Sequence, residues 1–352
     1  MANKVTGKTD TTGAMSIAPT MPKSVLVIGK VTGSATKSTD PNTVFSITGT
    51  SDAQERFGDG SILVKAVKVL VQNGVDNIFG VIVDSEKDPI TDGYADALEA
   101  SLGEASIKVI ISDDYTDGVV AEIKTHLAMA ESEDMFRYSV VATDKDSRDE
   151  IIEYAKTKVS DSRIFIPFPA CTDSTGTPTD PVLVAAGMAG VIMSETSDPA
   201  LPMNGVTING IGNVDRAVLE SERNMLANNG VTAIYNDGAP TIHRLVTSYT
   251  TDKIWQEGTT RFIADYVLEN VENTLRSNYQ RTKNVARILD SIKTTVKGLL
   301  ENYTVLEIIE NFDVSTLTVV KDPTDNYGVL VDYEFDVVTP LYTISINQHM
   351  KI

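Results

Sequence analysis

The chain has 352 residues, 41% of them apolar, and a formal net charge of −19. That size and apolar share fit two or three folded domains, and the acidic balance argues against binding to nucleic acid or to an anionic membrane, both of which need clustered lysine and arginine. The one cysteine, Cys171, rules out an internal disulfide, and no run reaches the roughly 18 apolar residues of a membrane span.

The opening segment, MANKVTGKTDTTGAMSIAPTMPK, lacks the apolar stretch of a signal peptide. Synthesis and folding in a cytoplasm are therefore expected, with exit by lysis or inside a particle. Residues 1–22 carry few apolar anchors and read as an arm. The run SVLVIG, Ser24 to Gly29, predicts a buried strand, and Thr43 to Ile47 a second. Ser51, Asp52 and Ala53 open a short helix that ends near Phe57-Gly58. Ser61 caps the next helix, whose apolar face is Ile62, Leu63, Ala66, Val67, Leu70 and Val71, and Asn73-Gly74 ends it.

From residue 77 strands and helices alternate. Strands are predicted at Ile78 to Val83, Ile107 to Ile111, Tyr138 to Ala142 and Arg163 to Phe168. Helices are predicted at Tyr94 to Leu102, Val119 to Ala130 and Arg148 to Lys158. This pattern indicates a mostly parallel sheet covered on both faces. Residues 171–181 form a turn-rich loop, and Val182 to Ser194 a buried helix rich in small residues. Val214 to Asn228 reads as a helix. Val231 to Tyr235 and His243 to Tyr249 read as a hairpin around Asp237-Gly238.

Two longer helices follow, Thr259 to Tyr279 and Lys283 to Tyr303. On the second, Val285, Ile288, Leu289, Ile292, Val296, Leu299, Leu300 and Tyr303 share one side. Lys283, Arg287, Asp290, Lys293, Lys297 and Glu301 share the other. Strand signals close the chain at Thr316 to Val320, Val329 to Val337 and Leu341 to Asn347. Residues 81–162 hold 20 acidic and 8 basic side chains, which suits either an outward-facing part or simple solubility.

No catalytic set emerges. There is no phosphate loop, and Gly210-Ile211-Gly212 does not follow a clear strand in a βαβ unit. There is no G-x-S-x-G elbow. His126, His243 and His349 are isolated, which disfavours a zinc site. Cys171 reads as an ordinary thiol. The acidic pairs Asp113-Asp114 and Glu133-Asp134 read as solvated loops rather than a cation site. Asn302-Tyr303-Thr304 matches a glycosylation acceptor, but without a secretory signal it carries no weight. If the 77–170 sheet held a ligand, it would lie at the strands' carboxyl ends, on Asp84 to Pro89, Ser112 to Thr116 and Thr143 to Arg148.

The order of blocks carries more information than any one motif. Thr48 to Gly74, TGTSDAQERFGDGSILVKAVKVLVQNG, resembles an early segment of contractile tail sheath proteins of phages and phage-like bacteriocins. Val184 to Gly212, Gly230 to Tyr249, the two long helices and Val329 to Ile352 resemble that family's later blocks in order. The family's Trp- or Arg-rich segment near Gly238 is represented here only by His243-Arg244. The resemblance implies an α+β fold with an inserted α/β domain and extended N- and C-terminal arms. The expected parts are an arm at 1–22, an inner sheath domain from 23–76 and 200–352, and an outer α/β domain at 77–199.

The resemblance further implies a structural subunit, not an enzyme, with no cofactor. It would polymerise as stacked six-fold rings around a tail tube, with baseplate and tail terminator proteins as further partners, and contract to drive the tube into a target. A secretion-system sheath is the near alternative, and a soluble α/β binding protein or enzyme the distant one. Met15, Ser16 and Ile17, with Tyr342, Thr343, Ile344, Ser345 and Ile346, are expected to pair as strands with neighbouring subunits. Lys283, Arg287, Lys293 and Lys297 are expected to form a tube-facing helix surface.

Overall fold

A computed structural model of the protein describes residues 23–37, 40–195, 198–342 and 346–348. These divide into two compact units. One holds Asn270–Asp336; the other holds the described residues up to Glu269 together with those from Val337 onward.

The larger unit is built on a six-stranded sheet. Its strands are β1 (Ser24–Gly29), β2 (Val44–Ile47), β3 (Asn77–Ile82), β4 (Val109–Ser112), β5 (Tyr138–Val140) and β6 (Ile164–Phe165), in the order β2-β3-β1-β4-β5-β6. All neighbours run parallel except β2, which pairs antiparallel with β3. β1 has no polar alternation, and all six of its residues are buried. A strand apolar on both faces needs cover on both, and the centre of a parallel sheet supplies it.

Alternate β1 side chains serve two cores. Val25 and Val27 pack with α1 (Thr50–Phe57) and α2 (Ile62–Gln72). Leu26 and Ile28 pack with α3 (Ile90–Ser101), α4 (Asp117–Ser132) and α5 (Arg148–Tyr154). The first core also takes α6 (Pro181–Glu195), whose small residues let α2 come close. A Cβ on Gly187 would lie 2.5 Å from Ile208 Cγ2, and one on Gly190 would lie 2.6 Å from Asn73 Cβ. Asn73 fixes the spacing: its side-chain amide donates to the carbonyls of Val69 and Asn209, both at 2.8 Å, and its Oδ1 accepts from Asn209 N at 2.9 Å.

The boundary expected at residue 77 is absent. β1 and β2 precede it, yet they belong to the same sheet as β3 to β6. Continuity also runs past residue 199, because Pro167–Phe168 pairs parallel with Thr232–Asn236, which pairs antiparallel with Pro240–Ile242. The Asp237-Gly238 turn is where the sequence puts it, but the return strand begins at Pro240. Pairing continues to His243, whose N–H donates to Ala233 O at 2.9 Å. The chain then crosses to β6, where Ser248 N donates to Ile164 O at 2.8 Å. The helix expected from Val214 is confined to α7 (Glu220–Asn228), because Asn213–Val214 pairs as a strand with Cys171–Thr172. α5 stops short of Lys158: Ala155–Val159 widens into a π-turn that ends at Ser160 with φ 36°.

After the short α8 (Lys253–Gln256), α9 (Gly258–Tyr279) continues into the second unit, followed by α10 (Ala286–Val305). Tyr279 Oη lies 2.8 Å from Thr295 Oγ1 and joins the two helices. Ile292, Val296, Leu300 and Tyr303 are the buried face of α10. A two-stranded hairpin, Thr318–Lys321 with Val329–Asp332, packs on α10.

Gly190→Val places β-branched bulk where only hydrogen fits. We expect it to lower stability by roughly 2–3 kcal/mol. Urea unfolding followed by the fluorescence of Trp255, the one tryptophan, measures this.

Candidate functional site

The carboxyl ends of β4 and β5 enclose a cleft of about 350 Å3, lined by Asp113, Asp114, Asp117, Asp144, Lys145 and Tyr154 among others. A ligand of such a sheet would bind there. Its carboxylates are already engaged. Asp113 accepts from Tyr94 Oη at 2.5 Å and from Lys30 N at 2.9 Å. Asp114 pairs with Lys30 at 3.6 Å, Asp117 with Lys158 at 2.8 Å, and Asp144 with Lys145 at 2.6 Å. Burial pushes the Asp113 carboxyl above its usual range. Gly29 faces this carboxylate, and a Cβ there would overlap it. Among the described residues no group of three His, Cys, Asp or Glu is placed to hold a metal ion. Cys171 is buried, and that burial pushes its thiol up to about 12, away from a reactive thiolate.

The most connected polar cluster lies elsewhere. α9 carries Arg261, Asp265 and Glu269 at successive i,i+4 positions, one stripe of a helix. Asp265 is 3% exposed. It accepts from Arg163 Nη1 at 2.5 Å and Nη2 at 3.0 Å, and from Tyr138 Oη at 2.5 Å. Glu131 bridges Arg163 and Arg261 at 2.8 and 2.6 Å. Lys108, 1% exposed, donates to both oxygens of Glu269 at 2.8 and 2.9 Å. Burial raises the Asp265 carboxyl above its usual range, and the Arg163 charge opposes that rise. The sequence reading missed this cluster. Its one local sign is a cation immediately before each of β4, β5 and β6: Lys108, Arg137 and Arg163.

Arg137 points elsewhere and is 0% exposed. Its guanidinium donates to Ser101 O at 2.9 Å and Glu104 O at 2.8 Å, which lie at and just past the carbonyl-rich end of α3. It also lies 3.0 Å from His126 Nε2 on α4. Burial, then the neighbouring Arg137 charge, pushes His126 down to about 3, and burial lowers Arg137 to about 10.

Of the expected tube-facing residues, Arg287, Lys293 and Lys297 lie on α10. Lys283 does not. Val285, in extended backbone at φ −128° and ψ 155°, is the N-cap, so the helix starts at Ala286. Val285 is 44% exposed instead of joining the apolar side. Arg287 and Lys293 are exposed, and Lys297 pairs with Glu301 at 3.5 Å.

Of the expected strand-pairing residues, Met15, Ser16, Ile17, Thr343, Ile344 and Ser345 lie outside the described residues. Ile346 is 85% exposed. Tyr342 is in no strand, and its side chain reaches Arg244 and Glu257 of its own chain. In the hairpin, Val320 pairs across from Leu330 on the outward face, at 47% and 41% exposure.

Solved sheath structures share this architecture over its full length. The contracted helical sheath of the anti-feeding prophage superposes with a TM-score of 0.74 at 14% identity, covering 100% of this chain and 99% of the other. The sheath tail protein of Listeria innocua gives 0.71 at 11% identity, covering 92% and 93%. The protein therefore has the contractile tail sheath fold. At the sequence level, residues 250–351 match the phage tail sheath C-terminal domain. The tail sheath protein of Bacillus phage SP01 is 23% identical over 253 residues, which are 70% of this chain but 43% of the phage protein.

His126 makes stability depend on pH. The unfolded imidazole takes up a proton below about 6.5, whereas the folded one stays neutral down to about 3. Stability is full above 6.5 and is lost as pH falls, by about 1.4 kcal/mol per pH unit from this group. We expect His126→Gln to lose about 2 kcal/mol less than the wild type between pH 6.5 and 5 in urea titrations.

Proposed function

We propose that the protein is the structural subunit of a contractile sheath. It polymerises as stacked six-fold rings around a tube and drives that tube by contracting, without catalysis or a cofactor. The supporting observation is that the sheath fold spans the whole chain while residues 250–351 match the sheath family's C-terminal domain. A two-stranded hairpin is marginal alone and has two open edges. Arms of neighbouring subunits would complete it by strand addition.

The acidic body, with Ser85 to Pro89 exposed, suits the outside of the cylinder, where like charge keeps particles apart. Arg287, Lys293 and Lys297 cover an arc of about 120° at the helical period and suit a weak polar grip on an acidic tube surface. Tube, baseplate and terminator proteins are the partners this reading requires. Assembly would take place in a bacterial cytoplasm, in a phage tail, a bacteriocin or a related injection system.

Electron microscopy of the purified protein tests the reading: hollow striated cylinders support it, and compact monodisperse particles reject it. Deleting residues 1–18 should leave a folded monomer that forms no cylinders; normal assembly would reject the strand-addition role. Lys293→Glu with Lys297→Glu should weaken assembly on the tube while free contracted cylinders still form. Unchanged tube-bound sheath would remove α10 from the grip.

A further inference from the structure

Three side chains from distant parts of the larger unit meet where the chain nears its C-terminus. Arg244 follows the strand Pro240–Ile242, Glu257 directly precedes α9, and Tyr342 lies beyond the last strand. Glu257 is 7% exposed, and its two oxygens divide the work. Oε2 accepts from Arg244 Nε at 2.9 Å and Nη2 at 2.8 Å, and Oε1 accepts from Tyr342 Oη at 2.5 Å. The Arg244 guanidinium also lies 4.7 Å from the centre of the Tyr342 ring. Each member therefore touches both others, through an ion pair, a charge-assisted hydrogen bond and a cation–π contact. Burial, then the Glu257 charge, pushes the Tyr342 phenol up, so it remains a donor.

The surroundings isolate this contact. Leu341 is 70% exposed and Ile346 is 85% exposed. Among the described residues from 341 onward, Tyr342 is the one side chain that is not exposed. Among these described residues it is also the one with a side chain held by another part of the chain.

We propose that Arg244 and Glu257 form a clamp on Tyr342 that anchors the root of the C-terminal segment to its own subunit. When residues beyond Tyr342 are held by a second copy of this chain, pull on them meets the clamp. It passes into Glu257, one residue before α9, instead of peeling the segment away. A phenol gripped between a buried carboxylate and a guanidinium resists displacement in a way that the exposed Leu341 does not. The mechanical role rests on the sheath reading; the clamp itself does not, because it is a contact within one chain.

Hydrogen exchange on the unpolymerised protein tests the clamp, read in peptides covering residues 337–342. Tyr342→Ala should speed exchange there at least tenfold. Tyr342→Phe, which keeps the ring over Arg244 but loses the hydroxyl, should fall between that and the wild type. Leu341→Ala should change nothing. Unaltered unfolding of Trp255 in each variant shows that the body is intact. Wild-type exchange in Tyr342→Ala overturns the clamp. In cylinders, Tyr342→Ala should lower the urea concentration at which subunits dissociate; faster exchange with unchanged dissociation overturns the anchoring role. Failure of the wild type to form cylinders counts against the sheath reading, while the exchange result still decides the clamp.

Discussion

A charge that leaves water must meet its opposite, and the Asp265 carboxylate is the place where this constraint shapes most of the body. Asp265 is 3% exposed and Arg163 2% exposed, and each is the other's most buried charged partner, with Arg261 at 3.3 Å from Asp265 and Glu131 at 2.8 Å from Arg163 completing the set. Removing one partner of such a pair costs about 3–5 kcal/mol, although an apolar pair of the same shape can be as stable. The cluster therefore contributes position more than strength. Apolar packing holds α9 by the fit of its side chains alone. The helix cannot slide when Arg163 and Tyr138 hold Asp265 and, one helical turn on, Lys108 holds Glu269. Three adjacent strands thereby fix the register of the helix whose sequence continues into the second unit.

The same reasoning separates what was legible in the sequence from what was not. Element type was legible because it is local. The run VLVI of β1, the alternation of strands and helices from residue 77, and the Gly-bearing helix α6 each announce themselves within a few residues. Strand order is not local. The placement of β1 between β3 and β4 depends on pairing with residues 53 and 84 positions away, and nothing in SVLVIG says which neighbours it takes. The expected insertion at residue 77 followed from reading the alternating segment as self-contained. The sheet shows instead that the alternating segment would lack its central strand without residues 24–29.

Surfaces divide in the same way. The basic stripe on α10 was visible on a helical wheel, because a regular helix fixes directions. Lys283 was lost because the cap at Val285 ends that regularity two residues later. The grouping of Arg244, Glu257 and Tyr342 leaves no mark in the sequence, since its members are up to 98 positions apart and belong to no shared periodicity. Lys108 and Glu269, 161 positions apart, are hidden for the same reason. What could have been noticed is negative: charged residues at the edge of apolar runs, such as Arg163 before Ile164 and Asp265 after Phe262 and Ile263, are costly unless paired.

Burial differs sharply along the chain, and the difference suits a polymer whose subunits move without unfolding. The six-stranded sheet has apolar helices on both faces, and β1 is buried over its whole length. A core of this density transmits force instead of deforming. In the hairpin and among the described residues from 341 onward, Val320, Leu330, Leu341 and Ile346 are the opposite, all at 41% exposure or more. On the sheath reading these are the parts that find their partners in other subunits, so their low burial in a single chain is the expected counterpart of strand addition. At Tyr342 the contact with the rest of the sheet-bearing unit is polar. Arg244 and Glu257 hold Tyr342 through a charge-assisted hydrogen bond and a cation–π contact, both directional, which suits a contact that on the sheath reading must hold while a linked neighbour shifts.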